Sequence, residues 1–204
     1  MNTLLIIYLI AFFKGPETIL VSQGQPVIPE IGQVEDRTVV LHREPVECRI
    51  THLTADELRD YLAGMGAAKA VQEHQLIARK LEQSISFMIS LENRGMDRLL
   101  FNPDQIELLS GKRRPVGTKL GMLDLWPSAL PGRAVEQERF ARLFIRGTTE
   151  IPPGGKAFQL LVFRPMAGQT WPKQITLSIP RLYHGVDLLN FACRYDLKRE
   201  RAKK

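Results

Sequence analysis

The sequence predicts a mainly β chain, an antiparallel β-sandwich preceded by an extended N-terminal arm and one or two α-helices. Three observations carry this expectation. Ile85, Phe87, Ile89 and Leu91 alternate with Ser84, Ser86, Met88, Ser90 and Glu92, the two-residue period of a strand with one buried face. Short apolar runs follow at residues 99–101 and 106–109, punctuated by Asn93-Arg94-Gly95 and Asn102-Pro103, which is the close spacing of strands in a sandwich. The alternation returns at Ile175, Leu177 and Ile179, where Pro180 is expected to stop the strand, and at Phe191, Cys193 and Tyr195.

In chain order, residues 3–13 (TLLIIYLIAFF) form an unbroken apolar run, long enough for the core of a secretory signal and too short for a bilayer span. No Lys or Arg precedes it and no small-x-small cleavage site follows. A cleaved signal, a short retained element inserted in a neighbour or a membrane interface, and a buried first strand therefore all stay open.

Residues 15–50 are rich in Pro, Gly and Gln, with β-branched runs at 18–21 and 38–41. Such segments suit edge strands or a strap laid over another surface, so this is the expected interaction arm, with a plain connector as the alternative. Residues 51–82 carry the helical signals. Thr54 followed by Glu57 is a capping box, Leu58, Tyr61, Leu62 and Met65 share one helical face, and Gly64 and Gly66 divide residues 55–63 from a second helix at 67–81.

Residues 110–137 read as a long connection carrying Lys112, Arg113, Arg114 and Lys119 ahead of Trp126. Trp126 between Leu125 and Leu130 reads as a hydrophobic plug or as an aromatic beside a basic cluster. Strand signals resume at 140–145. Ile151 leads into a Pro-Pro-Gly-Gly turn, read as a hairpin, and the run at 158–163 is apolar on both faces, as a central strand would be. The resulting division is 1–14 apolar segment, 15–50 arm, 51–82 helical segment, 83–197 sandwich and 198–204 basic tail.

A chain of 204 residues can bury a core without metal or disulfide help, and its 44% apolar and 25% charged residues exclude a disordered chain or a polytopic membrane protein. The net charge of +6 favours anionic partners in general. Much of it lies in the tail, where Lys198, Arg199, Arg201, Lys203 and Lys204 face only Glu200. The two cysteines, Cys48 and Cys193, belong to no CxxC or zinc pattern. They can pair as a disulfide in an oxidising compartment or remain two buried thiols, and sequence alone leaves both open.

The SFMISLEN strand, the FNP corner, the IPPGGKAFQLLVF segment and the QITLSIP strand, taken together over residues 83–196, resemble the telokin-like, immunoglobulin-like sandwich modules of secreted bacterial proteins. The antibody-type Cys and Trp hallmarks are absent. The resemblance implies a binding or scaffolding module without catalysis.

No sequence pattern calls for chemistry. Ser110-Gly111 and Ser128 lack the setting of a nucleophile elbow, and His42, His52, His74 and His184 show no ligand spacing. Gly64-x-Gly66 falls inside a helix pattern, so no phosphate-cradling loop is present. The expectation is a non-enzymatic accessory or structural subunit of an envelope-associated, periplasmic or extracellular assembly, with no cofactor and no metal. It would bind other protein subunits through Arg113, Arg114, Trp126 and Trp171, since Trp and Arg dominate interface energetics. The rival is binding to an anionic polymer or membrane surface through the basic loop and tail. Nucleic acid is disfavoured, and residues 3–13 offer peripheral membrane contact.

Overall fold

Alternating burial sorts the strands into two layers with one apolar seam between them. The computed structural model describes residues 17–62, 64, 83–120, 144 and 146–201. In chain order the strands are β1 (Glu17–Val21), β2 (Gln25–Pro26), β3 (Gly32–Glu35), β4 (Thr38–Arg43), β5 (Val46–Leu53), β6 (Ile85–Asn93), β7 (Leu99–Phe101), β8 (Glu107–Ser110), β9 (Gly117–Leu120), β10 (Thr149–Ile151), β11 (Lys156–Pro165), β12 (Gln174–His184) and β13 (Asp187–Arg201). Among the described residues these form two antiparallel sheets. One has six strands in the order β3-β4-β5-β6-β11-β9. The other has seven, with β1-β13-β12-β7-β10 as its spine, β2 lying beside β13 and β8 beside β12. The architecture is β-sandwich-like.

The inward residues of β6, Ile85, Phe87, Ile89 and Leu91, are all buried, as their spacing requires. They meet Ile175, Leu177, Ile179, Phe191, Cys193 and Tyr195 of the opposite sheet in one core cluster. Phe87 sits at its centre, its ring 5.0 Å from that of Tyr195 and 6.4 Å from that of Phe163. In β11, Leu161 and Phe163 join this cluster while the alternate residues Leu160 and Val162 are buried as well. The strand is thus covered on both faces, and its place between β6 and β9 is central as the apolar run suggested. The helix α1 (Ala55–Leu62) packs against β5 and β6 and buries Leu58 and Leu62.

The capping box at the start of α1 is formed. The Glu57 amide donates to Thr54 Oγ1 at 3.2 Å, and the Thr54 amide donates back to Glu57 Oε2 at 2.8 Å. Hydrogen bonds from Thr54, together with the Arg37 guanidinium, hold the Glu57 carboxyl below the usual range. Thr54→Ala is expected to cost about 1 kcal/mol in urea unfolding at neutral pH. A carboxyl whose folded pKa is depressed stabilises only while ionised, so the wild-type advantage should shrink as pH falls through that lowered pKa. An advantage that persists undiminished at acid pH would contradict this account of the cap.

Four expectations are corrected. Over its described residues, 17–50, the stretch expected as edge strands or a strap is built into the sheets: β1 and β3 lie at sheet edges, while β4 sits between β3 and β5 with Val39, Val40 and Leu41 fully buried, so it is no strap. The Pro-Pro-Gly-Gly turn makes no hairpin, because Ile151 pairs with Leu99 in one sheet while Lys156 pairs with Glu92 in the other; the turn carries the chain between layers. Pro180 does not end its strand. Pairing resumes after a bulge between Ile179 and Leu182, where Arg181 takes φ +57° and its amide is satisfied by Asn190 Oδ1 at 2.9 Å. Lys198 and Arg199 are no free tail but part of β13, whose end pairs with β1. The second helix expected at 67–81, the apolar run at 3–13 and most of the strand expected at 140–145 lie outside the described residues.

Candidate interaction surface

The residues expected to anchor a partner are scattered. Arg113 and Arg114 occupy an exposed turn between β8 and β9, closed by Arg113 N to Ser110 O and Ser110 N to Arg114 O, each 2.8 Å. Lys119, expected beside them, is instead half-buried in β9 with its ammonium on the Pro103 carbonyl, and burial lowers its pKa. Trp126 lies outside the described residues. Trp171 is only 4% exposed and belongs to the core cluster. Its indole N–H donates to the Gln83 carbonyl at 3.2 Å, and its own carbonyl accepts from Arg199 Nη2 at 2.7 Å. It closes one end of the sandwich, so it is not an exposed anchor.

Cys48 on β5 and Cys193 on β13 come from opposite sheets, are both fully buried, and are free thiols here. Burial pushes the Cys193 thiol up to about 12 and raises Cys48 well above its ordinary value, with Cys193 itself adding to the latter shift. Thiols held protonated in this way are poor nucleophiles at neutral pH.

On the six-stranded sheet a row of charge runs across neighbouring strands, with His42 opposite Glu47, Glu47 opposite Glu92, and Glu92 opposite Lys156. Like charges placed directly opposite repel, so this row needs cations. Arg49 Nε reaches Glu47 at 2.6 Å and Arg94 Nη2 reaches it at 2.7 Å, while Arg94 and Lys156 each contact Glu92 at 3.2 Å. Glu47 is 3% exposed yet doubly paired. The row is internally neutralised and offers no unpaired acid or base. Among the described residues no group of three or more His, Cys, Asp or Glu is placed to hold a metal ion.

Sequence reasoning missed a different feature, at the tip where β12 turns into β13. Leu188 pairs with Tyr183, Tyr183 with Leu100, and Leu100 with Glu150, so these four lie in one row across the seven-stranded sheet. Their strand neighbours Leu99, Phe101, Leu182 and Leu189 are buried, which points Leu100, Tyr183 and Leu188 outward, and all three are exposed. Val186 at the hairpin tip is 98% exposed and Met96 on the turn before β7 is 93% exposed. The two turns adjoin, since Gly185 N donates to Arg98 O at 3.3 Å. Beside them lies a hollow of about 550 Å³ edged by Met96, Arg98, Leu100, Glu150 and Pro153. Scattered surface hydrophobics need no explanation, whereas these five lie around one corner of the seven-stranded sheet. The sequence signal was the segment LYHGVDLL, which holds more apolar residues than one buried strand face can use.

Among the described residues no helix is long and apolar enough to cross a membrane. Comparison of the chain with protein-family models, with characterised proteins and with solved structures found no match.

Proposed function

We propose that this chain is a non-enzymatic binding module, an accessory or structural subunit of an envelope-associated or extracytoplasmic assembly. It engages another protein through the corner formed by Met96, Leu100, Tyr183, Val186 and Leu188. The exposed apolar row carries the reading. Its side chains stand on rigid paired strands, so little conformational entropy is lost when a partner covers them, and Tyr and Leu in one row offer contiguous apolar area. The reading is supported further by the resemblance of residues 83–196 to immunoglobulin-like sandwich modules of secreted proteins, and the placement outside the cytoplasm by the apolar run at 3–13.

The test uses Tyr183→Glu combined with Leu188→Glu, two outward positions whose change leaves the core untouched. The complex purified from the native source should lose its co-purifying chain, or a reconstituted complex should weaken about thirtyfold, the factor for about 2 kcal/mol, while the melting temperature of the free chain stays within two or so degrees. Retention of the same partner at the same stoichiometry by the folded double variant would overturn the proposal.

A further inference from the structure

At the end of the sandwich opposite that tip, the last residues of β13 run on past Gln174, the start of β12, and pair with β1, with Ile19 opposite Arg199 and Val21 opposite Leu197. This two-stranded ribbon and the Trp171 segment enclose a groove of about 700 Å³. Its walls are apolar at Ile19, Trp171 and Leu197 and basic at Lys173, Lys198 and Arg199. A second hollow of about 230 Å³ shares Ile19, Trp171 and Arg199 with the first. No acidic side chain lines either hollow among the described residues.

The contrast with the charge row of the six-stranded sheet is one of neutralisation. On the six-stranded sheet Arg49, Arg94 and Lys156 each face a carboxylate at 3.2 Å or less. Lys173, Lys198 and Arg199 have no ion-pair partner among the described residues, and all three border the groove. Arg199 is held in place by its bond to the Trp171 carbonyl. Apolar walls that end in three unneutralised cations are complementary to a molecule with the same two parts in the same order.

We propose that this groove binds a single-chain amphiphile, an alkyl chain with an anionic head. The chain lies along Ile19 and Pro172 and over the small exposed edges of Trp171 and Leu197, and the head is held by Lys173 and Lys198 beside the anchored Arg199. The groove's volume of about 700 Å³ suits a small-molecule site, which typically spans about 300–1,000 Å³, and not the open track a long polymer needs. Charge-assisted contacts fix the head, and each methylene moved out of water raises affinity by about fourfold. The site is separate from the docking corner, so either proposal can fail without the other.

Calorimetric titration of the full chain with monomeric dodecanoate, decanoate, dodecyl phosphate and dodecyltrimethylammonium tests it. The expected result is saturable one-to-one binding of dodecanoate or dodecyl phosphate, the tighter of the two identifying the head group. Shortening the chain from dodecanoate to decanoate should cost about tenfold, in line with two methylenes only partly shielded. Lys173→Gln with Lys198→Gln should weaken binding about tenfold without moving the melting temperature, and Ile19→Asp, which sets a carboxylate in the groove, should abolish it. Equal binding of the cationic amphiphile, no dependence on chain length, or retention on anionic vesicles without one-to-one binding of the monomers would each overturn the assignment.

Discussion

Deletion of residues 15–45 is expected to unfold the whole chain, not to release a folded sandwich from its partner. The deletion removes β1 to β4 and with them three side chains, Val39, Val40 and Leu41, that are fully buried. At about 1.5–3 kcal/mol for each fully buried side chain of this size, the lost burial alone comes to about 5–9 kcal/mol. The total stability of a domain is about 5–15 kcal/mol, so the loss is of the same order as everything there is to lose. Two further costs act in the same direction. Removing β4 strips β5 of the partner it holds over six residue pairs, from Thr38–Thr51 to Arg43–Val46, leaving a hydrophobic edge strand open. Removing Gly24 opens the core at Tyr195, against which it packs so closely that a Cβ there would stand 2.5 Å from the ring. Circular dichroism and urea unfolding of the truncated chain are the measurement. A cooperative transition with an undiminished denaturant slope would show that the first strands are dispensable after all.

Strand existence was legible wherever one face is buried and the other is not. Residues 85–93 alternate cleanly, and β6 occupies that span; the capping box at Thr54 and Glu57 was equally readable because all its partners are local. What local pattern cannot carry is the identity of the neighbour. Pro26, Pro29 and Pro45 mark the ends of extended segments in the same way whether those segments lie on a surface or fill the middle of a sheet. Val40 pairs with Arg49 and Gln33, and nothing within its own stretch announces either. The turn at 152–155 has the chemistry of a hairpin, yet the same chemistry serves a chain that changes sheets, since the choice rests on Leu99 and Glu92 far earlier in sequence. Trp171 in a Gly- and Pro-flanked loop looked like an interface anchor because composition does not say which way a ring turns. The docking corner was hidden for a related reason. Leu100, Tyr183 and Leu188 become a row only when three strands are laid side by side, and each one alone is an ordinary surface hydrophobe.

Asn93 ties its own turn to the distant 151–155 segment, and Asn93→Ala is expected to cost about 3–7 kcal/mol. Its side chain is fully buried at the end of β6. Nδ2 donates to the Asp97 carbonyl at 2.8 Å and to the Ile151 carbonyl at 3.0 Å, while Oδ1 accepts from the Gly95 amide at 3.0 Å. Its backbone also holds the sheet-changing turn, through Asn93 N to Gly155 O at 3.0 Å and Gly154 N to Asn93 O at 2.8 Å. Alanine keeps the backbone pair and loses the other three, each worth about 0.5–1.5 kcal/mol, and leaves the inward Ile151 carbonyl without its donor at a further cost of about 1–3 kcal/mol. The turn has little room to rearrange, because a Cβ on Gly95 would already lie 2.3 Å from His184 Nε2 and 2.4 Å from Pro45. Asn93→Asp separates the two halves of the amide. It retains the acceptor for Gly95 but aims a carboxylate oxygen at two carbonyls, so at neutral pH it should be worse than alanine. Such a carboxyl has its folded pKa raised, so its cost should ease as pH falls and a protonated oxygen donates one of the lost bonds. Urea unfolding of both variants at pH 7 and pH 4 reads the effect. A loss below about 1 kcal/mol for alanine, or an aspartate variant indifferent to pH, would mean that the corner bearing Met96 and β10 is held by something other than this amide.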